Sequence, residues 1–134
     1  MQKINPDKGS EVIRGKMIQN RAKNQVAGLE SAVNIIGGKW RSKIIWIIGS
    51  VTIRFGQLHN LLHGMSKKVL SQQLRELERT GIVKRTIYAQ IPSRVEYSLT
   101  EKGIELLSIL EVLSIWGIEN IMNEKIKNEP HQLI

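Results

Sequence analysis

The stretch MSKKVLSQQLRELERTGIVKR, residues 65–85, starts as an amphipathic helix and ends as a strand. Ser66 suits an N-cap, because its hydroxyl can accept a bond from an orphan amide of the first turn. Leu70, Leu74 and Leu77 follow at spacings of four and three and form an apolar stripe. Opposite them, at the same spacings, stand Lys68, Gln72, Arg75 and Arg79. At about 100° per residue Glu76 and Glu78 fall on the flanks of that line. A solvated face and a face that reads a partner look alike at this scale, so the neighbouring segments have to decide.

Thr80-Gly81 ends the helix, and IVKRTIY and RVEYSL then read as two short strands. Val83 and Ile87 alternate with bases; Val95, Tyr97 and Leu99 alternate with polar groups. The connection AQIPS is a hairpin tip, where Pro92, lacking an amide hydrogen, can sit. Upstream, KWRSKIIWIIGSV repeats Trp40, Ile44, Ile47, Ile48 and Val51 at helical spacing, with Ile45 and Trp46 on the flanks, which predicts a buried central helix. In RFGQLHNLLHG, Phe55, Leu58, Leu61 and Leu62 lie near one face of a short helix that Gly64 can close in a left-handed conformation.

The outer segments differ from this middle. Residues 1–27 contain Pro6, Gly9 and Gly15 and no sustained apolar period, so they read as a basic flexible or weakly helical extension. A helix is expected from Leu29, stopped by Gly37-Gly38. At the other end Thr100 can cap TEKGIELLSILEVLSIWGIENIMNEKI, whose apolar residues occupy far more than one stripe. A small domain covers one face of such a helix, and the simplest cover for the second is another copy of the chain. The expected organisation is an extension over 1–27, a domain over 28–118, and the end of a dimer helix with a tail over 119–134. Helix, helix, short helix, tight glycine turn, capped helix and hairpin, in that order, make an α+β, mainly α, winged helix-turn-helix fold with a long C-terminal dimerisation helix.

Charge points the same way. The chain of 134 residues carries +8, with a pI near 10, which favours an acidic partner such as nucleic acid or an anionic membrane surface. Residues 1–27 carry +4, 28–65 carry +3 and 66–99 carry +4, whereas 100–134 carry −3. A basic working face and a separate assembly element are thus segregated along the chain. The N-terminus is polar throughout, unlike a secretory signal, and no window approaches the roughly 18 uninterrupted apolar residues of a membrane span. A cytoplasmic location is expected. There is no cysteine, which removes disulfides, thiolate nucleophiles and Cys-ligated zinc.

The major groove of B-DNA admits one α-helix, and the second helix of a helix-turn-helix brings its N-terminal residues to the base edges. Candidate DNA-binding residues are therefore Ser66, Lys67, Lys68, Ser71, Gln72 and Arg75. Gln72 can pair with adenine through two hydrogen bonds, Arg75 or Lys68 with guanine, and Ser71 with a base or a phosphate. Lys84 and Arg85 at the strand base suit phosphates, with Lys39 and Arg41 as further candidates. At the hairpin tip, Ser93 and Arg94 are placed to approach an adjacent minor groove. Dimer contacts are expected from Leu106, Leu110, Leu113 and Trp116.

GGKW at 37–40, RF at 54–55, the run over 65–85, PSRVEYSLTEKG at 92–103 and a late Trp-Gly resemble, in order and spacing, the HxlR-type winged-helix regulators, relatives of the MarR group. The likeness covers roughly Leu29 to Ile118. It implies a homodimeric DNA-binding transcription factor with terminal helices at the dimer interface. Many of those regulators carry a cysteine ahead of the GGKW-like motif, and several use it to sense electrophiles or oxidants. Here that region reads NQVAGLE, with Val26 and Ala27 near the expected place, so a thiol switch is chemically impossible.

The remaining candidates are weaker. His59 and His63, four apart, have a metal-compatible spacing, but HNLLH lacks the glutamate of a zinc protease, and a surface or helix-end role is favoured. Trp40, Trp46 and Trp116 either fill core and interface or line a cavity for a small-molecule effector; the first is favoured. No phosphate loop, nucleophile elbow or carboxylate pair appears, and no motif points to a cofactor, so an enzyme is not expected. The reading is a homodimeric, sequence-specific transcriptional regulator on a pseudo-palindromic operator, with double-stranded DNA as partner. The alternative is a winged-helix module whose basic face meets an acidic protein.

Overall fold

In the computed structural model, which describes residues 7–124, Leu70, Leu74 and Leu77 are each at most 1% exposed. They lie on helix α4 (Lys67–Arg79), and the other elements are best understood by how they bury that stripe. In chain order these are α1 (Asp7–Ile36), α2 (Arg41–Ile48), β1 (Ile53–Arg54), α3 (Phe55–Leu61), α4, β2 (Val83–Tyr88), β3 (Arg94–Leu99) and α5 (Glu101–Gly117). The last helix continues as a π-helical turn over Ile118–Met122. Residues beyond 124, which include most of the expected tail, lie outside the described residues. Among those described, no helix is long and apolar enough to cross a membrane.

Two compact units divide at Gly37 and Gly38. The first is α1, a continuous helix where a flexible or weakly helical extension and a separate helix from Leu29 were expected. Between Asp7 and Ile36 there is no proline, and the glycines are isolated, so nothing forces a break. Its glycine stop falls where expected, after Ile36. The second unit starts at Gly38.

In the second unit, α2 contributes Ile44, Ile45 and Ile48, all fully buried, so the residue expected on a flank, Ile45, is core. Val51 is exposed, contrary to expectation, because Gly49 at φ +54° ends the helix before the period reaches it. Leu58 and Leu62 close the core from α3, and Leu61 turns outward. Gly64 takes φ +85°, a left-handed turn that a side chain would strain, and lets α4 start three residues later. Ser66 Oγ accepts from Val69 N at 3.1 Å, completing the cap.

Strands β2 and β3 pair antiparallel from Val83↔Leu99 to Tyr88↔Arg94, leaving AQIPS as the tip. A third strand, the two-residue β1, pairs with β3 on its other edge, giving the order β1-β3-β2. Val83 and Tyr97 reach the core; Ile87, farther out on the hairpin, is exposed.

Helix α5 starts directly on the end of α4. Thr100 Oγ1 caps it by accepting from Gly103 N at 3.0 Å, and the same hydroxyl donates to the carbonyl of Gly81. Lys102 Nζ donates to Thr80 O at 3.0 Å. A Cβ at Gly103 would collide with the Ile82 carbonyl, so only glycine allows this approach.

Candidate nucleic-acid interface

The capped start of α4 places Lys67 and Lys68 in its first turn, both exposed, with no acidic residue there. Helix N-termini favour acids, because the aligned peptide dipoles leave positive potential at that end. Two lysines and four orphan amides at one point therefore concentrate positive potential at a cost to the isolated helix. Gln72 and Arg75 continue the exposed line, and Ser71 is half-buried beside it. The line ends differently from its start. Arg79 Nη2 lies 2.9 Å from Glu76 Oε2, a contact that holds the Glu76 carboxyl below its ordinary range and raises the Arg79 guanidinium.

The hairpin supplies the second group. Lys84 is exposed at its base. Arg85 Nε lies 3.3 Å from Glu78 Oε2, joining β2 to α4 across a contact that composition and spacing do not reveal. Ser93 is exposed just before β3. Arg94, expected to reach out from the tip, folds back instead: its guanidinium lies 4.0 Å over the ring of Tyr88, its cross-strand partner. Its Nε is 3.2 Å from Glu96 Oε1 but lacks the geometry of a hydrogen bond and has no other partner among the described residues.

Arg41 is half-buried and its Nε donates to Gln73 Oε1 at 2.9 Å, which ties α2 to the buried flank of α4. Lys39 and Lys43 both lie over the Trp40 ring, at 4.8 and 5.2 Å from its centroid. His59 is engaged structurally: its Nε2 lies 2.8 Å from the Met65 carbonyl, which can only accept, and its ring stacks on Phe55.

Trp40 and Trp46 line an apolar cavity of about 550 Å3 with Leu62, His63, Leu110 and Leu113, between α2, α3 and α5. Trp116 is not among its walls, so the tryptophans are divided between two places. Of the four residues assigned to a dimer contact, Leu110 is 5% exposed and belongs to the core of its own protomer. Leu106 is half-buried, whereas Leu113 and Trp116 are exposed together with Ile109, Val112 and Ile115.

With this geometry in view, comparison with known proteins is specific. Residues 35–125 match the HxlR-like helix-turn-helix family model. A protein named as a regulator, MalR, of Fusobacterium mortiferum is 42% identical over 106 residues, spanning 78% of this chain and 100% of its own length. A crystal structure described as a transcriptional regulator of the MarR family from Enterococcus faecalis V583 superposes with a TM-score of 0.68 at 35% identity, over 75% of this chain and 91% of that one. The redox regulator HypR in its reduced form superposes with a TM-score of 0.67 at 34% identity, over 72% of this chain and 98% of that one.

Proposed function

The chain belongs to the HxlR-like helix-turn-helix family, and from that premise we propose that it binds DNA as a homodimer on a pseudo-palindromic operator. It is a transcriptional regulator and not an enzyme. The observation that carries the DNA reading is the start of α4, where Lys67 and Lys68 sit against the helix dipole with no acid in the turn. A polyanion offsets the cost of that arrangement; water does so only in part. Ser66, Lys67, Lys68, Ser71, Gln72 and Arg75 enter the major groove, with Gln72 on base edges and the lysines on phosphate. Lys84, Arg85, Ser93 and Arg94 meet the backbone and the neighbouring minor groove, Arg94 after leaving Tyr88.

The homodimer is supported by the apolar surface of α5 around Ile109, Val112, Leu113 and Trp116, which its own domain leaves open. Twofold symmetry then sets two α4 helices about one DNA turn apart, ~34 Å. A small-molecule effector fits the cavity against Trp40 and Trp46. The chain has no cysteine, so its signal differs in kind from a thiol switch.

The test is a titration of duplex DNA, duplex RNA and single strands across salt concentrations. Binding is expected for duplex DNA, with log K against log[salt] falling by about 0.9 for each phosphate neutralised. Salt-insensitive behaviour, or no binding to any duplex, would overturn the reading in favour of an acidic protein partner.

A further inference from the structure

Between α4 and the strands lies a polar cleft of about 320 Å3, lined by Ser71, Arg75, Glu78, Arg79, Arg85 and Tyr97. Three arginines and one glutamate are among its walls. Arg85 and Tyr97 face each other across β2 and β3, and Arg85 Nε reaches Glu78 Oε2 at 3.3 Å. Arg79 is engaged by Glu76 instead. Tyr97 is 8% exposed, and its hydroxyl makes no hydrogen bond among the described residues. Burial raises its pKa, and the charges it senses are Arg85, Glu78 and Arg75. An anion is therefore already in the cleft, supplied by the protein itself. Both members of the Glu78–Arg85 pair remain about half-exposed, so the pair is screened and readily exchanged.

A helix in the major groove and a hairpin in the adjacent minor groove are separated by one sugar-phosphate backbone. On the DNA-binding reading above, on which this inference rests, that backbone meets the cleft between α4 and β2. We propose that the cleft seats one backbone phosphate between Arg75 and Arg85, and that Glu78 holds its place in the free protein. Binding exchanges one anion for another: Arg85 leaves the carboxylate and takes the phosphate, with Tyr97 as a neutral donor on the cleft wall. Guanidinium suits either anion, because its planar fork matches carboxylate and phosphate alike. Glu78 then acts as a brake on all duplexes equally, since phosphate carries no sequence information.

The experiment uses the full chain and a fluorescein-labelled 30-base-pair duplex of random sequence, with anisotropy read at several salt concentrations and folding checked by circular dichroism. Glu78→Gln is expected to bind about two- to fivefold more tightly than wild type. Arg85→Ala should lower the salt slope by about 0.9. In the Arg85→Ala background, Glu78→Gln should give no gain, and Glu105→Gln on α5, an equal charge change elsewhere, should match wild type. A Glu78→Gln affinity equal to that of Glu105→Gln, or a gain that persists without Arg85, overturns the brake. An unchanged slope in Arg85→Ala overturns the phosphate seat. If wild type itself shows no salt-sensitive binding, the DNA reading falls and this inference with it.

Discussion

Helices α4 and α5 answer the same physical demand in opposite ways. In α4 Leu70, Leu74 and Leu77 form one buried stripe, Val69 beside it is half-buried, and the rest of the surface is polar. In α5 the apolar residues run nearly all round, and only Leu110 among them is fully covered, while Val112 is 68% exposed. Their first turns differ too: α4 opens on two lysines, whereas α5 opens on Glu101, the sign that a helix dipole favours, with Lys102 beside it turned to the Thr80 carbonyl. The contrast teaches that α4 is complete in packing and unfinished in electrostatics, whereas α5 is complete in electrostatics and unfinished in packing. Each helix shows through its deficit what kind of partner it lacks: an anion for α4, an apolar surface for α5.

That contrast breaks most visibly at α5. Leu110→Glu puts an unpaired charge into the protomer core and should cost at least about 3 kcal/mol, read as loss of a cooperative melting transition. Val112→Glu, two residues away and exposed, should keep the helical circular-dichroism signal while light scattering reports a monomer in place of a dimer. If both variants behaved alike, the division of α5 into an inner and an outer face would be wrong. On α4, Gln72→Ala should lose about 1–3 kcal/mol of discrimination at particular base pairs while binding to random duplex is spared. Uniform loss across sequences would demote Gln72 from reader to positioner. The smallest effect is expected at Ser66→Ala, which removes the cap bond to Val69 N and should lower unfolding free energy by about 1 kcal/mol in a denaturant titration.

The α4 stripe, its cap and the hairpin were legible because they rest on local periods and on residue types with one strong preference. Features that depended on distant partners were not. Strand β1 is two residues long and exists only through its pairing with β3, more than forty residues onward, so no local pattern announces it. Val51 follows the period of α2 but lies beyond Gly49, where the helix has already ended. In α5 the apolar arc was correctly read as too wide, yet its width could not say which residue faces inward. Leu110 was therefore assigned to an interface, whereas it is core. Among the candidate contact residues, Lys67, Lys68, Gln72 and Arg75 are exposed along α4. The pairing of Arg85 with Glu78 and the stacking of Arg94 on Tyr88 depend on register and rotamer.

The junction around Gly103 joins these two helices mechanically. The last carbonyls of the α4 segment are gripped by Thr100 and Lys102, and the missing side chain at 103 lets the backbones touch. Such a joint has little slack, so it transmits rotation and does not absorb it. In the proposed homodimer, the angle at which two α5 rods crossed would set the angle and separation of the two α4 helices. A change of a few degrees at the crossing would then act as a lever, moving the pair in or out of step with the pitch of the double helix.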